Sequence, residues 1–315
     1  MLKKTLIIIG SRGSELAIWQ SHFVKSELEK NNKNITVDIK VVKTKGDKIL
    51  NIALSKIGDK SLFTKELEVA LLNKSIDIAV HSLKDLQTKL PAGLILGAVS
   101  KRHAVEDVLI AREKGTTIFN IREGAIIATG SLRRMSQLLH IRPDIKIVDI
   151  RGNVPSRVDK FIKSKWDGII LARAGVERLK LSKHISSVID KEEILPAVSQ
   201  GALGIEVYED NKSVLEILKS FHDENTLSAV SAERELLRTL EGGCQVPIGA
   251  YAEVKANGLY LDAYVGTIDG SLAYRSKLRG SKSYPEKLGS KLGRKLLKAG
   301  AKEILDEIYN NVRNK

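Results

Sequence analysis

The first two hundred residues alternate short apolar runs with amphipathic helical patterns, which commits the region to βαβ units built around parallel sheets. Candidate strands are Leu6–Ile9, Val37–Val42, Ile76–Val80, Leu94–Val99, Ile126–Ala128, Ile145–Ile150, Gly168–Ala172 and Leu203–Val207. Most of them lack polar alternation, as expected when helices cover both faces of a sheet. Helices fit between them at Leu16–Asn31, Thr64–Asn73 and Leu132–Ile141. Ser100–Ala104 and Leu195–Gly201 read as paired crossovers between two similar sheets, with Leu203–Val207 returning to the first. The pattern then changes. A helix at Leu227–Leu240 leads into alternating strands at Val246–Val254, Leu259–Gly266 and Ser271–Arg279. One long amphipathic helix, Pro285–Tyr309, is predicted to follow, with Leu288, Leu292, Leu296, Ile304 and Ile308 on one face. That is a small α+β third domain.

A net charge of +14 calls for an anionic partner. Nucleic acid fits poorly, because aromatic residues make up only 4% of the chain and leave little for base stacking. No zinc-finger spacing or RNP-type motif is present either. A small polyanionic substrate explains the same charge. The single cysteine rules out an internal disulfide framework and suits a reducing compartment. The opening Met1-Leu2-Lys3-Lys4 precedes an apolar run that is too short for a secretion signal. No stretch approaches the roughly 20 apolar residues that span a bilayer. A cytosolic protein without membrane or nucleic-acid partners is expected. Motifs for phosphate-loop, dinucleotide, zinc-hydrolase and serine-hydrolase chemistry are absent, and the scattered histidines supply no metal cage.

Chemistry-bearing residues gather at predicted strand ends. Gly10-Ser11-Arg12 and Gly130-Ser131-Leu132-Arg133-Arg134 both follow a strand and open a helix, where unpaired N–H groups attract anions. Arg151 follows another strand, Arg157 opens the next helix, and Arg173 and Arg178 flank Ala174-Gly175-Val176. In open α/β sheets ligands bind beyond the carboxyl ends of the strands, so these arginines form a candidate carboxylate- or phosphate-binding wall. Lys84 and Asp85 lie just past a further strand. Asp85 is either an acid/base or cation-stabilising group, or a structural partner of an arginine. His81 reads as a hydrogen-bonded turn residue rather than a ligand. Cys244 sits in Glu241-Gly242-Gly243-Cys244-Gln245-Val246-Pro247. There it is either a nucleophile able to carry a covalent adduct or a small apolar filler.

Together these segments resemble the porphobilinogen deaminase (hydroxymethylbilane synthase) family of tetrapyrrole and heme biosynthesis. The likeness runs through Gly10–Ala17, Leu62–Glu68, Asp77–Asp85, Gly130–Arg134, Arg151–Val154, Pro196–Gly201 and Leu240–Gly249. It implies a dipyrromethane cofactor bound through a thioether to Cys244. Four porphobilinogen units are then added head to tail with loss of ammonia, and hydrolysis releases hydroxymethylbilane. It implies that Arg12, Ser131, Arg133, Arg134, Arg151, Arg157 and Arg178 bind carboxylates of cofactor and substrate with help from Lys84. Asp85 would stabilise the cationic azafulvene. Gln200, Phe63 and Lys60 join the substrate-binding positions, and no metal is needed. The implied fold is two periplasmic-binding-protein-like doubly wound α/β domains (residues 1–100 with 200–219, and 104–196) plus a small α+β domain (222–315) carrying the cysteine. A monomer is the expected state. Three places depart from the family pattern: Gly58-Asp59-Lys60-Ser61 for a usual Gly-Lys-Gly, Gln87 for a proline, and Gly130 for a serine or threonine.

Overall fold

A computed structural model describes residues 5–44, 64–241 and 246–313. It divides into two compact units. One holds the described residues up to His103 together with Gly201–Leu227, and the other holds Ala104–Gln200 and the chain from Ser228 onward.

The first unit is built on β1 (Thr5–Ser11), β2 (Ile35–Val41), β3 (Ile78–Ser82), β4 (Leu94–Val99) and the late-returning β10 (Leu203–Tyr208), in the order β2-β1-β3-β10-β4. Its helices are α1 (Glu15–Asn31), α2 (Lys65–Leu72) and α6 (Lys212–Leu218). The second unit repeats the plan with β5 (Asp107–Ala111), β6 (Ile126–Ala128), β7 (Lys146–Val148), β8 (Gly168–Ala172) and β9 (Ser187–Ile189), in the order β7-β6-β8-β5-β9. Here α3 (Leu132–Ile141), α4 (Val154–Lys163) and α5 (Arg173–Arg178) supply the cover. Both sheets are therefore doubly wound, and the two-sheet α/β architecture expected from the sequence is present.

The sheets are mixed rather than purely parallel as expected. In each, the strand that arrives through a crossover runs backward. β10 is antiparallel to β3 and β4, and β5 is antiparallel to β8 and β9. Five of the six β10 residues are buried, so an apolar run covered on both faces reads alike in either direction. β5 and β9 were not among the expected strands. One opens with a carboxylate and the other with a serine, so each starts on a residue that reads as loop.

The C-terminal part is an antiparallel meander of β11 (Ile248–Lys255), β12 (Gly258–Gly266) and β13 (Ala273–Gly280). It packs against α7 (Glu224–Thr239), α8 (Pro285–Leu296) and α9 (Lys302–Arg313). Their shared core includes Leu236, Leu261, Leu292 and Ile304. The single long helix expected over Pro285–Tyr309 is two helices. Gly300, at φ 117°, breaks the run in a conformation that disfavours side chains, and a Cβ there would collide with the Tyr274 ring. Within this unit the meander is fastened to α3: Ser136 Oγ lies 2.9 Å from the Tyr264 hydroxyl, and His140 Nδ1 lies 2.8 Å from the Gly270 carbonyl. No helix of the described residues is long and apolar enough to cross a membrane.

Candidate active site

In the first unit, β1 ends at Ser11 and Ser14 caps α1, its Oγ accepting the Ala17 N–H at 3.3 Å. Arg12 is the residue between strand and cap. β1 pairs in parallel with β3, so Arg12 and the turn after β3 share the carboxyl edge of the sheet. That turn, Leu83–Asp85, is three residues long. Leu83 and Leu86 are buried, and the Leu83 N–H donates to the Ala202 carbonyl at 3.0 Å. With both leucines anchored, Lys84 is half-buried and Asp85 faces solvent. Arg12, Gln20, Thr64, His81 and Asp85 line one cavity of about 60 Å³. Gln20 Nε2 donates to Ser82 Oγ at 2.7 Å across its wall.

His81 is a strand residue rather than the turn residue expected, though it is hydrogen-bonded as expected. Its Nε2 lies 3.0 Å from Glu206 Oε2, and both side chains are buried. Glu206 carried no sequence signal, because it sits within the apolar run of β10.

In the second unit, β6 leads through Thr129-Gly130-Ser131 into α3. Ser131 occupies the cap position with extended backbone, but its hydroxyl makes no capping bond. Arg133 and Arg134, 5% and 6% exposed, both grip Asp107, which is fully buried at the start of β5. Arg133 Nη2 donates to Asp107 Oδ2 at 2.8 Å and Arg134 Nη2 to Oδ1 at 2.7 Å. Gln200 Nε2 donates to the same Oδ1 at 2.9 Å and to the Val105 carbonyl at 2.7 Å. The two guanidiniums hold the Asp107 carboxyl well below the usual carboxylate range, against the opposing effect of its burial. Asp107 is the residue that sequence reasoning missed here.

Arg151 follows β7 and is partly buried, with Nε 3.8 Å from Asp149 Oδ2. The chain then turns at Gly152 (φ 120°), and Asn153 Oδ1 caps α4 by accepting the Ser156 N–H at 2.9 Å. Arg157, in the first turn of α4, donates Nε to the Gly152 carbonyl at 2.8 Å. Arg178 ends α5, and burial pulls its guanidinium down to about 10. A cation so desolvated is stabilised by a bound anion. The structure thus brings Arg12, Lys84 and Asp85 together in one unit, and Ser131, Arg133, Arg134, Arg151, Arg157, Arg178 and Gln200 in the other. Lys60, Phe63 and Cys244 lie outside the described residues, as do Asp59 and Ser61.

Gly130 is explained by its surroundings. A Cβ there would sit 2.8 Å from Asp149 Oδ1 and 2.9 Å from the Ile150 carbonyl oxygen. Backbone cannot yield as a flexible side chain can, so Gly130→Ser is expected to destabilise the protein by about 1–3 kcal/mol. Urea unfolding of the two proteins measures this, and an unchanged midpoint would show that Asp149 and Ile150, just after β7, move aside freely.

Each unit is thus a doubly wound α/β sheet with arginine at strand ends, the place where open α/β sheets bind their ligands. The chain matches the family model described as porphobilinogen deaminase, dipyromethane cofactor binding domain, over residues 7–216, and its C-terminal domain over 227–298. It is 49% identical to porphobilinogen deaminase of Desulforamulus reducens over 305 residues, 97% of this chain and 98% of that protein. It is 46% identical to that of Chlorobaculum tepidum over 310 residues, 98% of this chain and 99% of that protein. Among solved structures, the periplasmic VFT2 domain of Bordetella pertussis BvgS is similar at TM-score 0.41 and 13% identity, covering 68% of this chain and 86% of that one. The chain belongs to the porphobilinogen deaminase family. It is a transferase of tetrapyrrole biosynthesis that condenses four porphobilinogen units with loss of ammonia, and dipyrromethane is its cofactor.

Proposed function

We propose that the residues divide this reaction between holding and chemistry. Arg12, Ser131, Arg133, Arg134, Arg151, Arg157 and Arg178 bind the acetate and propionate groups, assisted by Lys84. Gln200, Phe63 and Lys60 complete the substrate contacts, and Cys244 forms the thioether. When bound, dipyrromethane supplies the primer on which the chain is extended. Its carboxylates suit the residues present: Arg133 and Arg134 share one carboxylate, and each keeps a buried Nε without a hydrogen-bond partner among the described residues.

The observation that carries the reading is Asp85, exposed on a turn whose flanking leucines are buried, beside Arg12 at the same sheet edge. A carboxylate fixed there stabilises the cation left on porphobilinogen when ammonia departs. The Arg12 guanidinium in the same cavity wall fits the substrate's own carboxylates.

Domain boundaries at 1–100 with 200–219, 104–196 and 222–315 are part of the proposal, as are a cytosolic location, a monomeric state and the absence of a nucleic-acid partner. Size-exclusion chromatography with light scattering tests the monomer.

The test of the wall replaces Arg151 and Arg157 with lysine, which keeps the charge but loses the two-pronged geometry. A hydrogen bond to a charged group contributes about 1.5–3 kcal/mol, so each variant should lose about 10- to 150-fold in kcat/KM with an unchanged melting curve. Wild-type kinetics in both variants would remove these arginines from the binding wall.

A further inference from the structure

The ion cluster around Asp107 has a charge balance that fold stability alone does not explain. β5 runs antiparallel to β8, so its first residue pairs with the last of β8, Asp107 with Ala172. The reversed strand therefore delivers a carboxylate to the edge where the parallel strands end and ligands bind. There it meets two guanidiniums, giving two positive charges to one negative in a site less than a tenth exposed. A buried pair built only for stability balances its charges, because an uncompensated buried charge is strongly unfavourable. Burial pushes the Arg133 guanidinium downward despite its bond to Asp107, as expected where positive charge is in excess.

The geometry of the cluster is tightly set. Arg133 Nη1 donates to the Leu195 carbonyl at 2.7 Å, and Arg134 Nη1 to the Ile170 carbonyl at 3.0 Å. Each guanidinium is thus held at both terminal nitrogens, one by Asp107 and one by backbone. Each Nε remains unpartnered among the described residues. Gln200 locks the carboxylate in turn, tying Oδ1 to the Val105 carbonyl through one amide.

We propose that Asp107 is a positioning residue that fixes the planes and spacing of Arg133 and Arg134, leaving one net positive charge to receive a carboxylate of the pyrrole chain. The inference rests on the proposed role of these arginines in holding the cofactor. It adds that their competence depends on an acid which does not itself touch the pyrroles. Asparagine at 107 would turn an amide donor toward an arginine donor and leave two unbalanced cations. Glutamate would keep the charge but push both guanidiniums by a methylene, a misplacement that is itself costly.

The experiment uses the full-length chain in its cofactor-free form, as wild type, Asp107→Glu and Asp107→Asn. Two readouts are melting temperature and the rate at which intact mass gains a two-pyrrole increment on incubation with porphobilinogen. Asp107→Glu is expected to fold and to load about tenfold slower, and Asp107→Asn about 100-fold slower. Cooling the Asn variant until it is as folded as wild type should leave loading slow, which a merely structural role would not. If the Asn variant does not fold, the Glu variant decides. Loading at the wild-type rate by either folded variant overturns the inference. A wild-type protein that never gains the increment overturns instead the reading on which it rests.

Discussion

Asp85→Asn is expected to lower turnover by about a thousandfold and leave the fold in place, an effect of the size seen when one preorganised charge-stabilising group is removed. The side chain is exposed, while the turn that bears it is held by buried Leu83 and Leu86 and by the bond from the Leu83 N–H to the Ala202 carbonyl. Replacement therefore removes no packing, and surface changes of this kind alter stability by less than about 0.5 kcal/mol. Asparagine keeps the volume and hydrogen-bonding capacity but not the charge that opposes the cation formed as ammonia leaves. Asp85→Glu keeps the charge about one methylene out of place and should retain a small part of the rate. Single-turnover ammonia release from cofactor-loaded variants measures both, with a melting curve beside it. An Asn variant that deaminates porphobilinogen near the wild-type rate would move the task to Lys84 or to a substrate carboxylate.

The sites were legible where local chemistry marks them. Gly-Ser-Arg at a βα junction announces both a turn and a cation, so Arg12, Ser131, Arg133 and Arg134 stand out, and the Lys84-Asp85 pair does so after the β3 run. What the sequence hid are partnerships across long separations. Asp107 meets Arg133 and Arg134 at separations of 26 and 27 residues and Gln200 at 93, and His81 meets Glu206 at 125. No periodicity records such pairs, and a carboxylate opening a strand reads as loop.

The reversed strands were hidden for a related reason. Burial on both faces fixes the composition of β10 but not its direction. The break at Gly300 was masked because Leu288 through Ile308 keep an apolar face on both sides of it, and the close approach of Tyr274 to Gly300 leaves no periodic signal. Resemblance carried the roles of Lys60, Phe63 and Cys244, which no distance in the described residues addresses.

Cys244→Ser is expected to abolish the two-pyrrole mass increment and to reduce activity to below about a thousandth of wild type. The chain has no second thiol to take over attachment. A thiolate forms readily near neutral pH and is strongly nucleophilic, whereas an unactivated serine hydroxyl stays protonated and attacks poorly. The two side chains differ little in volume. Leu240 and Val246, on either side of the glycine-flanked segment, are buried in the C-terminal core and anchor its ends, so the variant should melt close to the cofactor-free wild type. Loading should separate the two proteins further. Wild type exposed to porphobilinogen should gain both the increment and a higher melting temperature, since a group bound only by the folded state stabilises it. The serine variant should gain neither. Intact-protein mass spectrometry before and after incubation reads the first, and differential scanning calorimetry the second. An active serine variant at its bare polypeptide mass would show that the primer is held without a thioether, leaving its retention to the arginines alone.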